Sequence, residues 1–227
     1  MAIIYLDIET LPTDNKEVIS SIYDSISAPG NYSKQESIDK WMSENREQEF
    51  QKQYRKTSLD GLYGRILSIA WAIDDEPINC LINEHGEKEL LNHLFARLNS
   101  LYDKYGQRVS VSKWVGHNII NFDLRFVWQR CVINGINPLV EIPVNSRPWD
   151  NNVFDTRLTW TGNSSQYQGR SSLDALCLGF GMDGKGDING SEVYDYWLED
   201  RINEIIEYNK QDVEKTRILY KKMNFMG

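Results

Sequence analysis

The stretch Ile3-Ile4-Tyr5-Leu6-Asp7-Ile8-Glu9-Thr10 decides the fold. Its short continuous apolar run predicts a buried strand that is central in a sheet. Side chains alternate between the faces of a strand, so Asp7 and Glu9 point one way and Ile8 the other. Two like charges on one face are costly without a counter-charge, and a divalent cation with oxygen ligands would supply one. Asp-x-Glu also occurs where two acids merely cap a strand, so the interpretation depends on further carboxylates.

Bulk composition narrows the class of protein. At 227 residues and 26.4 kDa, the chain is one large domain, or one domain that carries an insertion. Its three cysteines are far apart and form no CxxC pair, which favours a reducing compartment, and we expect a cytoplasmic protein. The net charge of −8 disfavours a protein that coats polyanions, without excluding an enzyme that acts on nucleic acid. The apolar run at Ile3 is too short for a secretion signal, and we expect no membrane span.

A long polar stretch, residues 13–60, reads as an insertion after the first strand. Its first part is predicted to be irregular and to end at the turn signal Ala28-Pro29-Gly30-Asn31. A helix over about 37–56 follows, with Ser33 or Ser37 as its cap. Basic and aromatic side chains on this helix fit either a phosphate-tracking patch or a solvated face, and the interspersed acids favour the solvated face. These side chains are Arg46, Phe50, Lys52, Tyr54, Arg55 and Lys56.

The remaining chain alternates predicted strands and helices. We expect strands at 64–73, 78–82, 109–115 and 153–156, and helices at 87–105, 121–134, 172–179, 191–197 and 201–223. In the helix 121–134, the predicted core side carries Leu124, Val127, Trp128 and Cys131. This order of elements predicts one mixed sheet flanked by helices, which is an α/β domain.

Two further groups of polar residues stand out. Asp123 comes just after a predicted strand, in the first turn of a helix, where the helix dipole alone would favour an acid. Tyr208 and Asp212 have i, i+4 spacing and therefore share one face of the last helix. Aspartate is a poor residue in the middle of a helix, so its presence needs a reason, of which solvent exposure is the simplest. The stripe predicted to contact the core is Ile202, Ile206, Val213 and Tyr220.

Asp-Ile-Glu early, Asn-x4-Asp in the middle and Tyr-x3-Asp late form a specific pattern together. On these motifs the sequence resembles the DEDDy-type 3′→5′ exonucleases of the ribonuclease H-like superfamily. It is more closely similar to the stand-alone proteins related to the exonuclease domain of family B DNA polymerases. The likeness covers nearly the whole chain and includes the segments 64–66, 154–156, 172–174 and 185–188.

The resemblance implies a fold and a metal site. The fold is a ribonuclease H-like mixed five-stranded sheet with the first strand central, in a single exonuclease domain over residues 1–227 with a helical insertion at 13–60. The implied cofactors are two divalent ions, Mg²⁺ or Mn²⁺. Asp7, Glu9 and Asp212 would hold one ion, Asp7 would bridge to the second, and Asp123 would hold water beside that second ion. Tyr208 would orient the attacking water, because an ordinary tyrosine pKa near 10 makes it a poor base.

The resemblance also implies substrate contacts. Thr10 and Leu11 match positions that hold the terminal nucleotide, and Asn118 and Phe122 are similar candidates. Lys185 would meet a phosphate, although a lysine in a glycine-rich loop is usually just solvated. Two more polar residues have structural interpretations. Asp155 is either a supporting acid or a helix cap, and His117 is interpreted as a hydrogen-bonding residue at a strand end.

The expected function is metal-dependent 3′→5′ exonuclease activity that releases nucleoside 5′-monophosphates from single-stranded DNA or unpaired 3′ ends. An exoribonuclease with the same site stays open, because recognition of a 2′-hydroxyl is not visible in the sequence. A phosphatase acting on small substrates also stays open. A non-catalytic nucleic-acid-binding subunit is less favoured, since a binding protein needs no Tyr/Asp pair at i, i+4. The sequence does not identify protein partners, and strand polarity comes from the resemblance alone.

Overall fold

Five strands form one mixed sheet in the order β3-β2-β1-β4-β5. In this computed structural model, which describes residues 1–102, 105–162, 169–184 and 188–226, the strands are β1 (Ala2–Leu11), β2 (Arg65–Ile73), β3 (Asn79–Ile82), β4 (Val111–Gly116) and β5 (Val153–Asp155). β4 pairs in parallel with both β1 and β5, whereas β2 and β3 form an antiparallel pair. The predicted five-stranded sheet with its first strand in the centre is confirmed.

Strand β1 is central because it is apolar on both faces. Ile4, Leu6 and Ile8 are buried in one core cluster, whereas Tyr5 is buried in a second cluster on the opposite face. Alternation along the strand therefore places Asp7 and Glu9 on the same face as Tyr5.

The described parts of the chain form eight α-helices. Along the chain they are α1 (Lys16–Ser25), α2 (Gln35–Lys56), α3 (Glu87–Asn99), α4 (Asp123–Asn134), α5 (Thr156–Thr161), α6 (Leu173–Gly179), α7 (Val193–Leu198) and α8 (Ile202–Met223). Side chains of α3 and α4 complete the cluster around Ile4 and Leu6. Val213 and Tyr220 of α8 complete the cluster around Tyr5. Across the parts of the chain that are described, no helix has the length and apolar character that a bilayer crossing requires.

The chain divides into two structural units, one of residues 1–9 and 66–227 and the other of residues 10–65. The insertion predicted at 13–60 lies within the second unit and contains two helices. Its first part was predicted to be irregular, which is wrong, because Asn15 begins α1 by accepting hydrogen bonds from the backbone N–H groups of Glu17 and Val18. The ring of Tyr23 then packs edge-on against Phe50 of α2, with centroids 5.4 Å apart.

Two predicted helix boundaries also need correction. Helix α2 begins after Lys34 without a side-chain cap, so neither Ser33 nor Ser37 caps it. Helix α3 ends at Asn99 rather than near residue 105, because the chain turns back there and the N–H of Val109 donates to the carbonyl of Leu101 at 2.8 Å. Helical periodicity reports which face of a helix is buried and does not fix the residue at which the helix begins or ends.

The core face of α4 differs from the prediction at one residue. Leu124, Val127 and Cys131 are buried as expected, but Trp128 is 41% exposed and Phe126 is buried in its place. The ring of Phe126 packs against Phe122, with centroids 5.5 Å apart.

A buried ion pair joins α3 to α4. Glu87 accepts from the Arg130 guanidinium at 2.7 Å, and both side chains are at most 10% exposed. The same carboxylate accepts from the Ile66 N–H and the Asn134 side chain, each at 2.8 Å. The Glu87 carboxylate therefore connects α3 to the start of β2 and to α4.

We expect Glu87→Ala to lower the free energy of unfolding by about 3–5 kcal/mol, because it leaves the Arg130 charge buried without its main partner. Urea denaturation measures this loss. The control is Glu89→Ala, which removes an exposed acid from the same helical turn and should change stability by no more than about 0.5 kcal/mol. Equal effects of the two substitutions would contradict the assigned role of Glu87.

Candidate active site

Three carboxylates from two distant parts of the chain meet at one point. Asp7 and Glu9 lie near the end of β1, on the sheet face that α8 covers, and Asp212 comes from α8. One oxygen from each of the three side chains lies within 4.8 Å of the others. Glu9 is buried, and Asp7 and Asp212 are partly buried. The alternation predicted for β1 and the position predicted for Asp212 thus produce one acidic cluster.

The fourth predicted acid, Asp123, lies close by but is not one of these three. It is the first residue of α4, is 3% exposed, and accepts a hydrogen bond from the Ile8 N–H at 3.1 Å. Burial raises the pKa of Asp123 to about 7, against the opposing effect of the Ile8 hydrogen bond, and the charge of Asp155 adds to the rise. The negative charge of Asp123 in turn acts on Asp7 and Glu9.

Burial and mutual repulsion raise the pKa values of the clustered acids. For Asp7 the pKa rises well above its ordinary value through burial first, then through the charges of Asp123, Glu9 and Asp212. The pKa of Glu9 rises through burial and the charges of Asp212 and Asp123. Burial also raises the pKa of Asp212, whereas the ammonium of Lys215, 3.6 Å away, lowers it. Ionisation of all these acids together is therefore unfavourable unless a further positive charge is present.

This chemistry fits a divalent cation. The converging ligand atoms are carboxylate oxygens, the type that Mg²⁺ and Mn²⁺ prefer. Asp7, Glu9 and Asp212 are placed to hold such an ion, and Asp123 is placed to support it. A bound cation would offset the repulsion among these acids in their ionised forms.

Tyr208 lies one turn before Asp212 on α8, and its hydroxyl hydrogen-bonds to the Asp212 carboxylate. The pKa of Tyr208 is raised above its ordinary value, first by burial and then by the charges of Glu9, Asp212 and Asp7. The hydroxyl therefore keeps its proton at neutral pH, which supports an orienting role rather than that of a base.

A cleft of about 390 Å³ opens beside the cluster, with Asp7, Tyr208 and Asp212 in its lining. His117, Asn118 and the exposed Arg157 also line it. Burial, followed by the charge of Arg157, lowers the pKa of His117 to about 4, so its ring is neutral at pH 7. Its Nδ1 lies 2.9 Å from the Thr156 hydroxyl, in agreement with the predicted hydrogen-bonding role at a strand end.

Asp155 fixes the backbone of the cleft wall. It begins α5 by accepting from the N–H groups of Arg157 and Leu158, and it also accepts from Asn118 and Ile120. Asn118 has a left-handed backbone with φ of 65°, which asparagine tolerates better than most residues. Of the two interpretations of Asp155, the helix cap describes these contacts.

A protein-family model described as a predicted 3′-5′ exonuclease related to the exonuclease domain of PolB matches residues 56–227. The chain belongs to this family. Membership in this family supports the interpretation of the protein as a nuclease, which implies that its substrate is nucleic acid. A search of curated proteins finds no significant match.

Among solved structures, the fold is similar to that of the family B DNA polymerase from the hyperthermophilic archaeon Pyrobaculum calidifontis. The match has a TM-score of 0.58 at 15% sequence identity and covers 99% of this chain. It spans 24% of the polymerase chain. At this level of identity the match supports the shared fold, in agreement with the family.

Only some of the predicted substrate-contact residues that the structure describes line the cleft. Asn118 lines the cleft, whereas Phe122 packs against Phe126 and is not among the cleft residues that the structure describes. Thr10 and Leu11 belong to the second unit, where the Thr10 hydroxyl donates to the Ser58 carbonyl at 2.7 Å. Lys185 lies outside the described residues.

Sequence reasoning missed Asn209 and Arg157. Asn209 is fully buried, and its side-chain nitrogen donates to Asp7 Oδ2 at 2.6 Å. The predicted core stripe of α8 was partly wrong, because Ile202 and Ile206 are only partly buried. The buried stripe is Ile205, Asn209, Val213, Thr216, Leu219 and Tyr220. A signal was present, since Asn209 has the i, i+4 spacing of Ile205 and Val213 and is an amide in an apolar row.

We expect saturating Mg²⁺ or Mn²⁺ to raise the melting temperature, because a cation that binds the folded acids stabilises the folded state. At 100 times the dissociation constant the gain is about 2.7 kcal/mol, or roughly 5–10 °C. Asp7→Ala should remove most of this shift. Glu207→Ala, an exposed acid on the same helix as Asp212, should retain it. Thermal denaturation with and without a chelator measures both, and no shift in the unmodified protein would argue against an assembled site.

In chelator, Asp123 should make folding less favourable as pH rises. Its folded pKa of about 7 exceeds the ordinary value of 3.8, so the folded state binds more protons between these pH values and loses stability as they dissociate. His117 acts oppositely, since its pKa is lowered from 6.5 to about 4. The comparison is therefore with Asp123→Asn, which keeps an acceptor for the Ile8 N–H.

Urea denaturation at pH 5, 6, 7 and 8 measures this difference. Relative to the unmodified protein, Asp123→Asn should gain stability progressively as the pH rises. A constant difference across the series would show that Asp123 ionises normally in the folded state.

Proposed function

We propose that this family member is a metal-dependent 3′→5′ exonuclease that releases nucleoside 5′-monophosphates from single-stranded DNA or unpaired 3′ ends. The observation that carries the proposal is the meeting of Asp7, Glu9 and Asp212 within 4.8 Å at the edge of an open cleft. Family membership supports the reaction class.

The reaction is the hydrolysis of the last phosphodiester bond of the strand. A bond forms between a water oxygen and phosphorus, the bond from phosphorus to the 3′-oxygen breaks, and a proton moves to that leaving oxygen. Two bound Mg²⁺ or Mn²⁺ ions would supply activation of the water and stabilisation of the leaving oxygen. In this proposal Asp7, Glu9 and Asp212 bind the ions, and Asp123 supports them through its remaining oxygen.

Tyr208 would orient the water. Its hydroxyl donates to Asp212 and retains its proton, so its oxygen is available to accept a hydrogen bond from a water molecule. Near-attack positioning of a nucleophile contributes substantially to rate, and a phenol with a raised pKa is suited to that role and not to proton abstraction.

The walls of the cleft supply groups for the substrate. Arg157 brings a positive charge to the cleft that contains the acids, and this charge would contact a phosphate of the strand. Asn118 brings an amide on a backbone fixed by Asp155. Thr10, Leu11, Phe122 and Lys185 stay proposed contacts on the strength of the resemblance.

We expect Asp212→Ala to lower the rate of hydrolysis by more than about 100-fold, beyond the 10–100-fold typical of residues that only support a metal ligand. Tyr208→Phe should cost less, roughly 10–100-fold, because it removes a hydrogen bond and leaves the carboxylates in place. The control is Glu207→Ala, an exposed acid on the same helix.

The assay uses 5′-labelled single-stranded DNA, duplex DNA and RNA with Mg²⁺, Mn²⁺ or chelator. A ladder that shortens from the 3′ end on DNA supports the proposal, and a ladder on RNA alone would assign the exoribonuclease alternative. Full activity of Asp212→Ala would remove this residue from the proposed site. Hydrolysis of a nitrophenyl phosphate ester without any polymer cleavage would instead indicate a phosphatase.

A further inference from the structure

The side chain of Asn209 makes the shortest described hydrogen bond to a carboxylate of the cluster. Its Nδ2 lies 2.6 Å from Asp7 Oδ2, although the two residues are 202 positions apart in the chain. Asn209 is 0% exposed, so water cannot replace this bond. The other oxygen of the carboxylate, Asp7 Oδ1, has no hydrogen-bond partner within the described parts of the chain.

Two donors behind Asn209 fix which way its amide points. The Ser68 hydroxyl, on β2, donates to Asn209 Oδ1 at 3.0 Å. The Cys80 thiol, on β3, lies 3.7 Å from the same oxygen and is a weak donor. A flipped amide would place its oxygen against the Asp7 carboxylate and its NH₂ group against these donors. The observed orientation is therefore the one that satisfies all four groups.

A neutral donor suits this place better than a cation. A lysine or arginine here would cancel the charge of Asp7 and compete with an incoming metal ion, as a positive charge beside any ligand does. An amide stabilises one carboxylate oxygen and leaves the charge of the group in place. Because Asn209 lies on α8 with Asp212, its bond also ties the helix that carries one acid to the strand that carries the other.

We propose that Asn209, through its hydrogen bond to Oδ2 and its anchoring by Ser68, holds Asp7 in the rotamer that presents Oδ1 to a divalent cation. Asn209 is thus a positioning residue for the metal site. This inference rests on the proposed function, since it requires that the acidic cluster binds a metal ion. Outer partners that orient a ligand typically account for 10–100-fold in metal affinity.

The test measures Mn²⁺ binding to the full chain without nucleic acid, from the electron paramagnetic resonance signal of free Mn²⁺. Asn209→Ala should weaken Mn²⁺ binding by about 10–100-fold. Ser68→Ala should weaken it by a smaller factor, because the amide stays but loses its main anchor. The control is Gln211→Ala, on the exposed side of the same helix, which should bind Mn²⁺ like the unmodified protein. On single-stranded DNA, Asn209→Ala should lower kcat at fixed Mn²⁺ while KM stays within about twofold.

Melting in chelator separates folding from positioning. A folded Asn209→Ala protein with unchanged Mn²⁺ affinity overturns the inference and leaves the exonuclease proposal standing. If Asn209→Ala does not fold, Ser68→Ala decides: weakened Mn²⁺ binding supports the inference, and unchanged binding overturns it. An unmodified protein that binds no Mn²⁺ defeats both the inference and the proposed metal site.

Discussion

Repulsion between buried carboxylates is the constraint around which the rest of the site is arranged. Glu9 and Asp123 are buried and Asp7 is partly buried, and burial contributes most to the rise in their pKa values. Burying like charges side by side is unfavourable unless something binds them. The chain moderates this cost with separate partners: the Ile8 N–H for Asp123, the Asn209 amide for Asp7, and Lys215 with the Tyr208 hydroxyl for Asp212. Each partner orients a carboxylate, and a bound cation can offset the repulsion that remains when the acids ionise.

The register of β1 sets both the core and the acids. Ile4, Leu6 and Ile8 of this strand pack with α3 and α4, whereas Tyr5 packs with α8 on the other face. Asp7 and Glu9 follow Tyr5 by alternation. A shift of one residue would turn both carboxylates into the apolar cluster and Ile8 towards α8. The stability of the sheet therefore enforces the position of the acids, and the two cannot be altered independently.

Local sequence patterns were sufficient to predict the site residues that lie close to one another in the chain. Alternation located Asp7 and Glu9 on one face, and i, i+4 spacing located Tyr208 beside Asp212. Asn209 was missed because its role depends on Ser68 and Cys80, which come from strands far away in the chain. Helix α1 was missed because the polar composition of the insertion concealed a short amphipathic helix behind its Asn15 cap. Trp128 was assigned to the core from spacing alone, but which apolar side of α4 is covered depends on its neighbours.

The distance along the chain between the parts of the cluster has a consequence for biosynthesis. Asp7 leaves the ribosome about 200 residues before the helix that carries Asn209 and Asp212. At roughly 5–20 residues per second, that interval is about 10–40 s. During this time Asp7 and Glu9 of β1 have been synthesised, but α8, which carries Asn209 and Asp212, has not. The acidic cluster is therefore completed only after α8 has been synthesised.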